Sequence, residues 1–107
     1  MSATVKTRAV GAAVQITLSG EIDLANAASV DSELRVAVSQ QPSAVFVDLT
    51  DLTYIDSAGI RILFTFASRL KPLQIFLELI VPLDSPARRL IEISGLESLA
   101  SLQPKHH

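Results

Sequence analysis

The feature that most constrains the fold is an alternation of short apolar runs with apolar stripes at helical spacing. Runs at 5–10 and 13–18 flank Gly11, and the second run alternates apolar with polar residues, which predicts a hairpin with one polar face. The run "AVFVDL" at 44–49 is nearly all apolar, which is typical of a central strand covered on both faces. A last run, "QIFLELIV" at 74–81, predicts one more strand.

Three helices are predicted between and after these strands. The first spans about 27–40 and stops before Pro42, with an apolar stripe formed by Ala27, Val30, Leu34, Ala37 and Val38. The second begins at Ala58 and stops before Pro72, with a stripe formed by Ile60, Leu63, Phe64, Ala67 and Leu70. Ile62 and Phe66 lie off that stripe, and a core role is favoured for them over an exposed contact patch. The third has Ser85 as its cap, Pro86 at its first position and Gly95 just past its end.

The order of elements is therefore strand, strand, helix, strand, helix, strand, helix. Because parallel strands need helical crossovers, this order predicts an α/β fold with a mixed sheet of about four to five strands flanked by helices. The 107 residues suffice for a single domain over 1–107, and no internal repeat or linker interrupts them. After Gly95 there is room for only one or two helical turns, and we expect residues 103–107 to form a frayed tail.

Composition excludes several classes of protein. With 49% hydrophobic and 19% charged residues, the chain has the balance of an ordinary globular domain. The net charge is -2 and the basic residues are scattered, so no footprint for nucleic acid is present. Cysteine is absent, which excludes disulfides and thiolate chemistry and fits a reducing compartment. No segment resembles a signal peptide or a membrane span, so we expect a cytoplasmic protein without a membrane partner.

The residue types that usually carry catalysis are scarce. The two histidines, His106 and His107, lie at the C-terminus, and neither a Walker-type phosphate loop nor a GxSxG motif occurs. Asp48, Asp51 and Asp56 surround the C-terminal end of the central strand and could hold Mg²⁺ or accept a phosphoryl group, but turn and cap roles are favoured for Asp51 and Asp56. No cofactor, metal ion or enzymatic activity is predicted.

The segment "DSAG" at 56–59 joins a predicted strand to a predicted helix. Ser57 suits an N-cap, which is the commoner role for a lone serine there, or a functional hydroxyl. Gly59 falls in the first helical turn, where glycine costs roughly 0.5 to 1 kcal/mol relative to alanine. Because capping does not require this glycine, we expect its missing side chain to leave room for a ligand or a protein to approach the backbone.

Three segments resemble a known family: "LSGEID" at 18–23, "VFVDLTDLTYIDSAGIRIL" at 45–63 and "SPARRLIEISGL" at 85–96. Together they closely resemble the STAS domain of bacterial anti-sigma factor antagonists, in the same order and over nearly the whole chain. The Asp-Ser-x-Gly segment after a strand is the most specific of the three pieces.

The resemblance implies a non-enzymatic interaction module. In this family the serine that matches Ser57 is phosphorylated by an anti-sigma factor that is also an ATP-dependent kinase, and a metal-dependent serine phosphatase removes the phosphate. The unmodified antagonist binds the anti-sigma factor and frees the sigma factor, whereas the phosphorylated form lets go. The partner-binding residues that the resemblance implies are Asp23, Asp56, Ser57, Ala58, Gly59, Ile60 and Arg61.

The end of the chain departs from the family pattern. After Gly95 the segment "LESLASLQPKHH" offers no second amphipathic helix of the kind that family members generally carry. The apolar surface that such a helix covers would then be exposed, which favours a homodimer.

Two other functions remain open from the sequence. One is a STAS scaffold or regulatory subunit in a signalling or transport assembly, in which Ser57 is never modified. The other is an enzyme or nucleotide-binding protein that uses the carboxylates near Asp56, although no phosphate loop accompanies them.

Overall fold

The strands and helices follow the predicted order, with two additional short strands. The computed structural model describes residues 2–105. The strands are β1 (Ala3–Val10), β2 (Ala13–Ile22), β3 (Ala44–Asp48), β4 (Leu52–Ile55), β5 (Phe76–Ile80) and β6 (Ser101–Gln103). The helices are α1 (Ala27–Ala37), α2 (Ser57–Leu70) and α3 (Pro86–Ile93), and a 3-10 turn at Leu96–Ser98 precedes β6. Within 2–105 no helix has the length and apolarity that crossing a membrane requires.

The sheet is mixed, and β2 pairs with three other strands. β1 pairs with β2 antiparallel, whereas β3 and β4 each pair with β2 in parallel. Parallel pairs β3–β5 and β5–β6 complete the order β1-β2-β3-β5-β6. The expected count of four to five strands was too low, because β4 has 4 residues and β6 has 3, too few for a period-two pattern to stand out.

Gly20 is the point at which β2 changes its parallel partner. Residues 13–17 pair with β3, whereas 20–22 pair with β4, with a shift of register between Gly20 and Glu21. Gly20 has a φ of 87°, and a Cβ there would collide with the carbonyl oxygen of Ser2. Its amide donates to the Asp51 carbonyl oxygen at 3.1 Å. Only glycine fits this bend, which directs the end of β2 toward the starts of α1 and α2.

One face of the sheet carries the hydrophobic core. Alternate strand residues point to this face and are buried: Ile16, Leu18, Val45, Val47, Leu77 and Leu79. The helices contribute to the same cluster through Val30, Leu34, Leu63, Phe66, Ala87 and Ile91. Each large side chain buried here contributes about 1.5 to 3 kcal/mol, so this single cluster fixes the helices on the sheet.

The face of α2 that points to the core differs from the predicted stripe. The buried members are Gly59, Leu63, Phe66, Ala67 and Leu70. Phe66 is 1% exposed, which confirms the favoured core role, whereas Phe64 is 38% exposed and its place on the stripe was wrong. The buried positions 59, 63, 66, 67 and 70 follow the helical period. Compared with the predicted orientation, α2 is therefore rotated about its axis so that Phe66, and not Phe64, points to the core.

The prediction that β3 is covered on both faces was wrong. Val45 and Val47 are buried, but Phe46 and Asp48 on the other face are only half-buried. Phe46 packs edge-on against Phe76 of β5 with ring centroids 6.2 Å apart. The apolar residue on the second face of β3, Phe46, is therefore explained by its pairing with an aromatic ring of the neighbouring strand.

The first helix is shorter than predicted. α1 ends at Ala37, and the chain continues in tighter turns in which Ser39 donates to the Val36 carbonyl and Gln41 to the Val38 carbonyl. Gln41 then takes a φ of 50°. Hydrogen bonds between residues three apart do not continue an α-helix. Val38, the last residue of the predicted stripe, therefore lies outside α1.

The local signals predicted for α3 are confirmed. The Ser85 hydroxyl accepts a hydrogen bond from the Ala87 amide at 3.2 Å, and Pro86 opens the helix. Gly95 follows the helix with a φ of 86°. Both ends of α3 are thus set by residues within or next to it.

The C-terminal segment is more ordered than predicted. Residue 103 was expected to begin a frayed tail, but Gln103 closes β6 and its carbonyl oxygen accepts a hydrogen bond from the Val81 amide at 2.7 Å. Pairing with the edge of β5 satisfies backbone groups that a loose tail would leave to water. Pro104 and Lys105 are exposed, and His106 and His107 lie outside the described residues.

Gly20→Ala is expected to lower the free energy of unfolding by about 2 to 4 kcal/mol, because it adds a backbone collision to the strain of a positive φ. Gly95→Ala is the matched control, since Gly95 has a similar φ of 86° but nothing lies within 4 Å of an added Cβ. We expect a loss of only about 1 to 2 kcal/mol there. Urea unfolding of both variants measures the difference, and equal losses would contradict the close approach of Ser2 to Gly20.

Candidate functional site

The candidate site is a groove between the starts of α1 and α2, which we call the α1–α2 groove. It has a volume of about 380 Å³ and is lined by Leu24, Ala27, Ala28, Asp31, Ser57, Ala58, Arg61 and Ile62. A larger groove of about 620 Å³ lies at the other end of β2, around 11–14 and 39–43, and no ionisable side chain lines it within the described part of the chain. Charged and hydroxyl groups therefore meet only at the first of these two grooves.

The Asp56 carboxylate connects the two sides of this site. Its Oδ1 accepts hydrogen bonds from the amides of Ala58 at 2.9 Å and Gly59 at 3.0 Å, which caps the start of α2. Its Oδ2 accepts a hydrogen bond from the Leu24 amide at 3.1 Å, in the loop after β2. The cap role favoured for Asp56 is confirmed, and the same side chain also ties this loop to α2.

Ser57 is the first residue of α2 and not its cap. Because Asp56 supplies the capping oxygen, the capping role favoured for a lone Ser57 was wrong. The Ser57 side chain is exposed, and its hydroxyl has no hydrogen-bond partner among residues 2–105. The hydroxyl therefore stands at a helix start with no structural task, open to solvent and to other molecules.

A tight polar turn leads from β2 into α1. Asp23 Oδ1 accepts hydrogen bonds from the Ala25 amide at 2.9 Å and the Asn26 amide at 3.2 Å. In return Asn26 Oδ1 accepts from the Asp23 amide at 3.0 Å, and Asn26 Nδ2 donates to the Glu21 carbonyl at 2.8 Å. These reciprocal bonds fix the turn, and Asp23 contributes to the site by shaping it.

Leu24 lies at the tip of this turn and is 80% exposed. Its backbone amide is bonded to Asp56, and its side chain lines the groove. Sequence reasoning missed this residue. The available signal was a single large apolar residue between Asp23 and Ala25 in an otherwise polar turn.

Gly59 faces the sheet, so the expected room for a partner at this position is not there. Gly59 is buried, and a Cβ on it would lie 2.5 Å from Ile55 Cγ1 and 3.0 Å from Ile22 Cγ2. The expectation that its missing side chain clears a path for another molecule was wrong, because two isoleucines fill that path. The glycine instead lets the first turn of α2 pack closely on β2 and β4.

The other predicted residues of α2 separate into two faces. Ala58 is half-buried and lines the groove, as does the exposed Arg61. Ile60 is half-buried and packs against the core. The structure therefore brings Ser57, Ala58 and Arg61 together at the groove and turns Ile60 inward with Gly59.

The charges around the groove are unevenly matched. Asp31 of α1 pairs with Arg35 at 3.4 Å and with Arg69 of α2 at 3.2 Å. Arg61 forms no ion pair with any residue of 2–105. The groove thus has one acid that is already shared by two arginines and one exposed arginine without an acid.

Three acidic residues, Asp48 at the end of β3 and Asp51 and Asp56 beyond it, do not form a shared site. Asp48 Oδ1 accepts from the Thr50 amide at 2.9 Å, and Asp51 is exposed in the turn between β3 and β4. With Asp56 at the helix cap, the turn and cap roles favoured for Asp51 and Asp56 are confirmed. Over 2–105 no group of three acidic or histidine side chains is arranged to hold a metal ion.

The family model for the STAS domain matches residues 4–107. The chain belongs to the STAS domain family. The resemblance and the α/β fold class inferred from the sequence are thereby confirmed.

Three known proteins are similar to this STAS domain in sequence or in fold. It is 37% identical over 82 residues to BtrV of Bordetella bronchiseptica, which carries the name of an anti-sigma factor antagonist, a match that covers 77% of this chain and 70% of that protein. A crystal structure of an anti-sigma factor antagonist from Mycobacterium paratuberculosis superposes with a TM-score of 0.80 and 26% identity, covering 97% of this chain and 87% of that one. The Bacillus cell fate determinant SpoIIAA, solved in its phosphorylated form, has the same fold, with a TM-score of 0.66, 20% identity and coverage of 92% and 90%.

Gly59→Val is expected to lower the free energy of unfolding by about 2 to 3 kcal/mol, because the added carbons must displace Ile55 and Ile22. Ala58→Val is the matched control in the same helical turn, and we expect a loss of under about 1 kcal/mol there, mainly from helix propensity. Thermal and urea unfolding of both variants give the comparison. If the two variants were equally stable, the space above Gly59 would be open.

Proposed function

We propose that this STAS domain is an anti-sigma factor antagonist that binds its partner at the α1–α2 groove and is switched off by phosphorylation of Ser57. The observation that carries the proposal is the Ser57 hydroxyl, which is exposed beside the groove and has no hydrogen-bond partner among the described residues. Asp56 performs the capping that would otherwise occupy such a serine. Ser57 is therefore free to contact a partner or to accept a phosphoryl group.

The relatives support a partner of a definite kind. BtrV, at 37% identity, carries the name of an anti-sigma factor antagonist, and SpoIIAA has been solved in a phosphorylated form. The proposed partner of this chain is an anti-sigma factor with serine kinase activity, which Ser57 contacts and from which it receives phosphate. A metal-dependent serine phosphatase then restores the binding form, and sigma factor is released whenever the unmodified antagonist holds the anti-sigma factor.

The switch acts at the interface and leaves the domain folded. Phosphorylation adds about -1.5 to -2 charges at the positive end of the α2 dipole, which tolerates them. The carboxylates of Asp56 and Asp31 already lie beside the groove. Added bulk and negative charge there repel a partner that fits the bare helix start, and a change of 1 to 3 kcal/mol in binding, of the order typical for regulatory coupling, suffices.

Leu24 is proposed as an apolar anchor of the same interface. Its large side chain is 80% exposed on a turn whose backbone is bonded to Asp56, so it offers a partner apolar area to bury. Together with Ala58 it gives the groove apolar surface, while Asp23 keeps the turn in shape.

The kinase assay tests the phosphorylation switch directly. The purified domain is incubated with ATP and each recombinant anti-sigma factor of the source organism, and its mass is then measured. We expect the wild type, but not Ser57→Ala, to gain the mass of one phosphate. Ser57→Asp should keep the wild-type thermal melting profile and bind the anti-sigma factor at least about 10-fold more weakly, a change of roughly 1.4 kcal/mol.

The opposite results separate the alternatives. A stable complex that forms without phosphate transfer would support a scaffold in place of a switched antagonist. If Ser57→Asp unfolded, or bound as tightly as the wild type, repulsion at the interface would not be the mechanism.

Leu24→Ser should weaken binding of the same anti-sigma factor at least about 10-fold while leaving the melting temperature within a few degrees, because an 80% exposed side chain contributes little to the core. Leu83→Ser is the control, since Leu83 is 72% exposed outside the groove, before α3. Isothermal titration calorimetry compares the two. Equal affinities for both variants would remove Leu24 from the interface.

A further inference from the structure

The position of Arg61 gives the α1–α2 groove a cation that forms no ion pair within residues 2–105. Arg61 follows Ser57 by four residues within α2, and both side chains are exposed and line this groove. Residues four apart on a helix are neighbours on its surface, with Cβ atoms about 5 to 6 Å apart. The order, with the acidic group N-terminal to the basic one, is the favourable one for an ion pair within a helix.

The acids near Arg61 already have partners. Asp31, across the groove on α1, pairs with Arg35 and Arg69. Asp56 uses Oδ1 for the amides of Ala58 and Gly59 and Oδ2 for the amide of Leu24. Asp23 uses one carboxylate oxygen in its own turn. Arg61 pairs with none of these acids and with no other acid among residues 2–105, whereas a phosphate on Ser57 would be within reach on the same helix face.

We propose that Arg61 pairs with the phosphate on Ser57, so that phosphorylation takes the free cation of the groove away from the partner as well as adding negative charge. This inference rests on the proposed phosphorylation of Ser57. The guanidinium offers two parallel N–H donors to phosphate oxygens, a geometry that lysine lacks. In the unmodified domain the same guanidinium remains available to an acidic group of the anti-sigma factor. Arg61 thus acts as a positioning residue for the phosphate, and the two states of the domain present different charges at one place.

The test measures the ionisation of the phosphate itself and needs no kinase. Phosphoserine is introduced at position 57 during translation, and the second pKa of the phosphate is followed by 31P NMR in the wild type, Arg61→Gln, Arg61→Lys and Arg8→Gln. This pKa is about 6 without neighbours. A paired guanidinium favours the dianion and lowers the pKa, so Arg61→Gln should raise it by about 0.2 to 0.4 unit. Arg61→Lys should restore part of the shift.

The control variant separates a local pair from general charge. Arg8 lies on β1 and bonds Gln15, near the end of β2 that is remote from Asp23, so Arg8→Gln removes the same charge far from the phosphate. We expect its phosphate pKa to match the wild type. The Arg61→Gln shift should also shrink at about 1 M salt, where exposed charges are screened. Unchanged titration in Arg61→Gln, or an equal shift in Arg8→Gln, would overturn the pairing.

The titration tests the role of Arg61, and the kinase assay tests the switch, so either can fail without the other. If no anti-sigma factor phosphorylates Ser57 in the wild type, the proposed switch fails whatever the titration gives. If the kinase assay succeeds and the titration shows no effect of Arg61→Gln, the switch stands and Arg61 is not the residue that holds the phosphate.

Discussion

The Asp56 carboxylate joins the segments from which the candidate site is built. Its two oxygens accept three backbone amides, two from the start of α2 and one from Leu24 in the loop after β2. Hydrogen bonds to a charged group contribute about 1.5 to 3 kcal/mol each, more than most exposed ion pairs. The loop, the helix start and the groove between them therefore have one relative position. Ser57 is held by its backbone alone, which leaves its side chain without any part in that construction.

Beneath this polar connection, the first turn of α2 packs directly on the sheet. The contact of Gly59 with Ile55 and Ile22 sets the height of the first helical turn above β2 and β4. The bend at Gly20 is what brings the end of β2, and with it Ile22, to that place. Two glycines thus shape the site: Gly20 allows a backbone turn, and Gly59 allows close packing.

How much the sequence predicts depends on how local the cause is. The ends of α3 were predicted from Ser85, Pro86 and Gly95 because capping and turn preferences act within a few residues. The orientation of α2 was wrong at Phe64, since which face of a helix is buried depends on where the sheet lies. Gly59 was misinterpreted for the same reason: Ile22, one of the two side chains that fill its space, is distant in sequence and comes near only through the parallel pairing of β2 with β4.

For the site, the sequence identified the residues more accurately than it identified what each residue does. The segment around Ser57 was identified, and the groove does contain Ser57, Ala58 and Arg61. The assignment of the cap to Ser57 failed because aspartate and serine are both good N-caps and stand side by side, so one residue of register decides between them. Leu24 was missed because an exposed leucine is common on protein surfaces and becomes informative only once its backbone is seen to be fixed.

The separation of tasks between Asp56 and Ser57 has a consequence for how such domains can diverge. A residue that both capped the helix and accepted phosphate could not be exchanged without weakening the fold. Here the fold depends on Asp56 and Gly59, whereas Ser57 is free to vary. Under the proposed switch, a form that no kinase can modify is a single substitution away at almost no cost in stability. Regulation would then depend on one side chain that the architecture itself does not need.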